Sequence, residues 1–186
     1  MDGRLTIGLY NSLDRVRFAE AHRRALARAA PVAAAFDCNL AVFGFPLDRE
    51  LRTPVEVAEW LLGTTSIGQG GDWIMKLAEG GRFQVFPFPG GGFPPQFGNV
   101  VIATRRPDVK KRMSPKDAAR MLLNGSSMLL VFGLGPRGLP GRIMDMGKHH
   151  VDLTERGISM ETCTAMGAAP AVIMTWKEAM RKGADE

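Results

Sequence analysis

The sequence predicts an α/β fold, a mostly parallel sheet with helices on both faces. Two observations carry the prediction. Short apolar runs of strand length alternate with longer segments of helical character, the order that builds a layered parallel sheet. The composition, 45% hydrophobic and 23% charged over 186 residues, is that of a globular chain rather than a disordered one. A chain of this length fits one domain, residues 1–186, large enough to bury about 70% of its unfolded surface.

The elements follow in order. Residues 5–10 (LTIGLY) are a short apolar run and read as a strand. Asn11-Ser12-Leu13-Asp14 is a turn and cap cluster. Residues 15–30, rich in Ala and Arg, read as a strong helix. Residues 40–45 (LAVFGF) form a second strand. Thr53, Pro54 and Glu56 supply a cap, a first-turn proline and a first-turn acid for a helix over 55–62. Residues 73–79 are helical again. Residues 83–86 and 100–103 are strand-like. Ser114, Pro115 and Asp117 open a helix that reaches about Leu123. Residues 127–132 (SMLLVF) are the most apolar strand. Residues 151–153 are a short extended piece. Residues 160–181 are largely helical, with an interruption expected at 167–170, and 182–186 are expected to fray.

The segment 86–98 (FPFPGGGFPPQFG) is neither helix nor central strand, because Pro lacks the N–H and Gly adds freedom. It reads as a linker or, given Phe86, Phe88, Phe93 and Phe97, as an ordered loop packed on the core. Two cysteines, Cys38 and Cys163, exclude a disulfide scaffold and a four-cysteine zinc site. His149 and His150 are adjacent, so in an extended segment they point to opposite faces, and no metal is expected. The N-terminal apolar stretch is too short for a signal peptide and no long apolar run occurs. The expectation is a soluble cytoplasmic protein with no membrane partner. Net charge is +5, with 7 Lys and 17 Arg making up the 24 basic residues. Arg suits bidentate phosphate contact, so the charge permits a nucleic-acid partner.

Gly133-Leu134-Gly135-Pro136-Arg137-Gly138 matches G-x-G-x-x-G after a strand. A dinucleotide fingerprint also needs a helix opening at once. Leu139-Pro140-Gly141 follows instead, and no amphipathic helix is expected there. No Gly-Lys-Ser/Thr phosphate loop exists. The loop reads as a tight turn or as a ligand loop at the C-terminal end of a strand.

The order of these segments resembles the SPOUT class of S-adenosylmethionine-dependent RNA methyltransferases. The class motif "-ATxR" is matched by Ala103-Thr104-Arg105-Arg106, and "-VFGxExxGLP" by residues 131–140 (VFGLGPRGLP). The third motif, an extended dipeptide followed by "SLN" and a helix, is matched by Val151-Asp152 and Ser159-Met160-Glu161. "NPxDxxNxGxxxR" is similar to the stretch from Asn11, with Arg23 at the spacing of the motif arginine. The sequence departs from the class at Gly135, where an acid is usual, at Glu161 in place of Asn, and at Arg17 in place of a second Asn.

The resemblance implies a C-terminal deep trefoil knot, with a ligand region over about 100–175. It implies S-adenosylmethionine as cofactor, held by Thr104, Phe132, Gly133, Leu134, Gly135, Gly138, Val151, Leu153, Ser159 and Met160. Arg23 is implied as a catalytic cation, with a solvated helix face as the alternative. Glu161 is implied as a base, with a helix cap as the alternative. Asp14 reads as a helix cap. Arg15, Arg17, Arg24, Arg105, Arg106, Lys110 and Lys111 would form a track for RNA, tRNA or rRNA, or simply a solvated face. A homodimer through the last helix, with Met166, Val172, Ile173 and Trp176, completes the expectation. A non-catalytic protein of the same fold that binds RNA or a nucleotide is the alternative function.

Overall fold

The protein is described from a computed structural model that covers residues 1–48, 50–64, 68 and 70–183. Seven strands form one sheet: β1 (Leu5–Tyr10), β2 (Asn39–Phe43), β3 (Phe83–Phe86), β4 (Asn99–Ala103), β5 (Arg112–Met113), β6 (Met128–Gly133) and β7 (His149–Val151). Their order is β3-β2-β1-β6-β4-β7-β5, and every pairing is parallel. Among the described residues six α-helices accompany them: α1 (Glu20–Ala35), α2 (Pro54–Leu62), α3 (Gly70–Glu79), α4 (Pro115–Leu123), α5 (Gly141–Met146) and, after the last strand, α6 (Thr162–Lys182). Among the described residues no helix is long and apolar enough to cross a membrane.

Strand side chains alternate between two faces. Leu5, Ile7, Leu9, Leu40, Val42, Val101 and Leu130 bury one face beneath α1, α2, α3, α4 and α6, which contribute Leu26, Leu61, Ile74, Leu122 and Ile173. Tyr10, Phe43, Ile102, Leu129 and Val131 point to the other. The expectation of helices on both faces holds only weakly on this second side. There α5 gives Ile143, and the loop 86–98 does most of the covering.

That loop is ordered packing, not a linker. It carries the chain from β3 at one edge across to β4 without an α-helix, by way of one 3-10 turn at Pro95–Phe97. Phe43 stacks on Phe86 at 5.4 Å and meets Phe93 and Phe97 edge-on. Phe88 approaches Tyr10 at 5.4 Å, over Gly44 at φ +68°, where a Cβ would overlap its ring. Rings fill this face because Pro-rich backbone cannot present a helical stripe.

Several boundaries differ from the sequence reading. The helix read over 15–30 is α1, which starts only at Glu20. Asp14 is not its cap: its carboxylate accepts from Val16 and Arg17 N–H groups and builds a separate turn. Those bonds hold the Asp14 carboxyl below the usual carboxylate range. A helix does open after the Gly-rich loop, the six-residue α5, whose Ile143 is buried. The extended piece read at 151–153 is β7, ending at Val151. The interruption expected at 167–170 is absent: α6 runs through Pro170. Residues 184–186 of the tail expected to fray lie outside the described residues. Met166 and Ile173, read as an interface face, are buried in the chain's own core, and Trp176 lies under the Lys116 ammonium.

Phe43 is fully buried and touches three rings of the loop. Phe43→Ala is expected to cost about 3–5 kcal/mol, read as a lower midpoint in urea unfolding.

Candidate functional site

Adjacent parallel strands end at the same edge, so the loops leaving β6, β4 and β7 meet. Between them lies a cavity of about 760 Å³. Hydrogen bonds to backbone carbonyls close the three loops on each other. The Thr104 N–H donates to the Val151 carbonyl at 2.9 Å. The Thr162 hydroxyl, at the start of α6, donates to the Gly133 carbonyl at 2.8 Å.

The loop leaving β6, second of the three in chain order between those after β4 and β7, is also tied to β1 and the turn after it. The Leu134 N–H donates to the Tyr10 carbonyl at 2.9 Å, and the Gly135 N–H to Ser12 Oγ at 2.9 Å. Gly135 sits so close to Ser12 that a Cβ would overlap its carbonyl oxygen. No side chain fits at position 135 unless the Ser12 backbone moves. Gly138, at φ +68°, turns the loop back, its N–H donating to the Gly135 carbonyl.

Asp152 shapes the third loop. It is almost fully buried and accepts from the Thr154 N–H at 3.2 Å and the Gly157 N–H at 2.7 Å. Glu161 caps α6 through Oε2, which accepts from the Cys163 and Thr164 N–H groups. Burial pushes the Cys163 thiol up, against the pull of the Arg28 guanidinium, so it is protonated and a poor nucleophile at neutral pH.

The structure brings together Thr104, Phe132, Gly133, Leu134, Gly135, Gly138, Val151, Leu153, Ser159 and Met160, all on the cavity wall, with Arg105, Arg106 and Glu161 beside them. Other expected residues lie elsewhere. Arg23 is not a lining residue; its guanidinium stacks over Phe18 at 5.1 Å. Arg24 pairs with Glu20 at 3.2 Å, and Arg15 lies over Phe88 at 4.8 Å. Arg17 and Lys110 are exposed, and Lys111 donates to the Asp145 carbonyl. His150 accepts from the Asp108 N–H and donates to the Met144 carbonyl. Among the described residues no group of three potential metal ligands occurs. Sequence reasoning missed Asp152 as an anchor, although Asp-x-Thr-x-x-Gly is an Asx-type signal. It also missed Leu139 and Met144 on the wall, since α5 was not foreseen.

The fold, a seven-stranded parallel sheet with this cavity at its C-terminal edge, is shared at low identity with solved structures described as methylases and methyltransferases. A probable methylase family protein from Haemophilus influenzae matches with TM-score 0.63 and 13% identity, over 98% of this chain and 70% of that one. The SpoU methyltransferase AviRb from Streptomyces viridochromogenes matches with TM-score 0.62 and 14% identity, over 96% and 62%. An AdoMet-bound rRNA methyltransferase from Sinorhizobium meliloti matches with TM-score 0.57 and 13% identity, over 94% and 57%. By sequence the chain belongs to the DUF531 family, proteins of unknown function, whose model matches residues 5–174. It is 46% identical over 170 residues to an uncharacterized protein of Methanocaldococcus jannaschii, MJ0224, over 91% of this chain and 93% of that one.

The cap role of Glu161 is testable without any ligand. Glu161→Ala is expected to lower stability by about 1 kcal/mol, the usual cost of losing an N-cap, read by thermal unfolding.

Proposed function

We propose that this chain is an S-adenosylmethionine-dependent methyltransferase of the SPOUT class acting on tRNA or rRNA. One observation carries the reading: the ten residues that the class motifs nominate for the donor line a single cavity. Its volume lies within the roughly 300–1,000 Å³ of small-molecule sites. The residues fit the donor. Gly133 and Gly135 let backbone close in where a Cβ would collide, and Val151, Leu153 and Met160 offer an apolar slot for adenine. When bound, the donor supplies an electrophilic methyl on a sulfonium. The chain then mainly holds and orients, because in-line displacement is limited by positioning.

In this reading the three loops form the trefoil knot of the class, within one domain over 1–186 and a ligand region of about 100–175. Arg105 and Arg106, on the cavity rim, lead RNA phosphates inward. Lys110, Lys111, Arg15, Arg17 and Arg24 extend that track. Glu161, on the cavity wall, is assigned a proton-accepting role besides its cap; stabilising charge at the acceptor falls to Arg23 only if its guanidinium leaves Phe18, since it is not on the wall. The reading implies a cytoplasmic homodimer, checked by sedimentation at micromolar concentration.

A second reading, a non-catalytic protein of this fold that binds RNA or a nucleotide, is favoured by Gly135, where packing on Ser12 excludes the usual acid. Methyl transfer to RNA separates the two. Calorimetric titration with S-adenosylmethionine and S-adenosylhomocysteine is expected to show micromolar binding, abolished by Gly135→Val; no binding at millimolar ligand contradicts the donor site. RNA binding is expected to weaken steeply with salt and with Arg105→Glu plus Lys110→Glu. Salt-insensitive binding contradicts the phosphate track.

A further inference from the structure

Outside the cavity, at the start of α1, lies a buried polar cluster that the proposed chemistry does not use. Asn11 and His22 are both fully buried. The Asn11 amide is satisfied on both sides. Its Nδ2 donates to the Asp14 carbonyl at 2.6 Å and the Gly44 carbonyl at 2.8 Å. Its Oδ1 accepts from the Leu13 N–H at 3.1 Å and faces His22 Nε2 at 3.0 Å. The Ala19 N–H donates to His22 Nδ1 at 3.0 Å. Nδ1 is therefore the acceptor nitrogen, and the ring is the neutral tautomer with its proton on Nε2.

This network fixes the turn 11–14 whose Ser12 forms the far wall of the second loop. Ser12 Oγ accepts the Gly135 N–H, and its carbonyl packs against the Gly135 α-carbon. The path from ring to cavity is short and fully bonded: His22, Asn11, the turn, Ser12, Gly135.

We propose that His22 is a positioning residue for the Gly-rich loop: its neutral ring holds the 11–14 turn and, through Ser12, the cavity wall at Gly135, and protonating the ring releases that wall. A second proton would sit on Nδ1 and face the Ala19 N–H, two donors head-on. The ring must then turn or α1's first residues must move, and either displaces the Asn11 bond. The inference rests on the donor reading only for what the cavity holds.

The surroundings keep the ring neutral at pH 7. Burial pushes the His22 pKa below its ordinary value, with Arg23 acting in the same direction and the Ala19 backbone contact and Asp14 opposing. Phe18 stacks on the ring at 5.3 Å and Phe45 meets it edge-on at 5.1 Å, so these neighbours are apolar. Linkage gives the sign. A lowered folded pKa contributes stability that is present above the ordinary value of 6.5 and is lost as pH falls through the folded value.

The test follows the Gly135 amide resonance of the ligand-free protein by NMR from about pH 8 to pH 5, alongside the His22 ring signals. The Gly135 shift is expected to titrate with the His22 ring in wild type, to be flat in His22→Gln, and in Ser12→Ala to decouple from a ring that still titrates. A Gly135 resonance that ignores His22 titration overturns the inference, whatever the ligand. If His22→Gln does not fold, Ser12→Ala alone decides. In parallel, affinity for S-adenosylhomocysteine, which has no group titrating near pH 6, is expected to fall in proportion to the protonated fraction of the His22 ring as the wall-intact population shrinks. His22→Gln is expected to remove that fall, and a fall that persists in His22→Gln overturns the link from the ring to the cavity. Failure of this probe to bind at pH 8 overturns the donor reading while the Gly135 titration still judges the positioning role.

Discussion

Everything at the site depends on the in-register parallel pairing of β6, β4 and β7. Val101 and Ile102 of β4 face Leu130 and Val131 of β6 on one side and His149 and His150 of β7 on the other. Parallel strands end together, so three loops far apart in sequence leave the sheet at one edge. The Thr104–Val151 and Thr162–Gly133 bonds then close them on one another. A one-residue slip of β7 would turn every side chain over and move Val151 from the cavity wall.

The sheet is protected from both sides by different means. Five helices bury one face with small and aliphatic side chains. The other relies on phenylalanine rings from a Pro- and Gly-rich loop. That second cover uses few backbone hydrogen bonds, so its order comes from ring packing on Phe43 and Tyr10. Close approach also accounts for the glycine at position 135, because the Gly-rich loop is drawn tightly onto Ser12.

Much of this was legible in the sequence. β1 and β3 were found residue for residue, because apolar runs bounded by polar turns mark strands. The Thr53 and Ser114 caps located α2 and α4, since each side chain accepts the N3 amide as its type predicts. The start of α1 was misread because Asp14 satisfies its own turn while the helix is capped by a histidine, an unusual partner. β5 and α5 were missed because two and six residues carry no periodicity; they exist through pairing to β7 and burial of Ile143. Ten residues of the cavity wall were nominated by the motif resemblance, while Asp152 as an anchor, Leu139 and Met144 were not. The Asn11–His22 cluster was not legible, because its members become neighbours only in the fold.

The central claim is that the three-loop cavity holds S-adenosylmethionine. A crystal structure grown with saturating S-adenosylhomocysteine tests it most directly. The account predicts the adenosyl group against Val151, Leu153 and Met160, with backbone of the 133–138 loop within hydrogen-bond reach. An unfilled cavity in such crystals, or the ligand bound elsewhere, would contradict it.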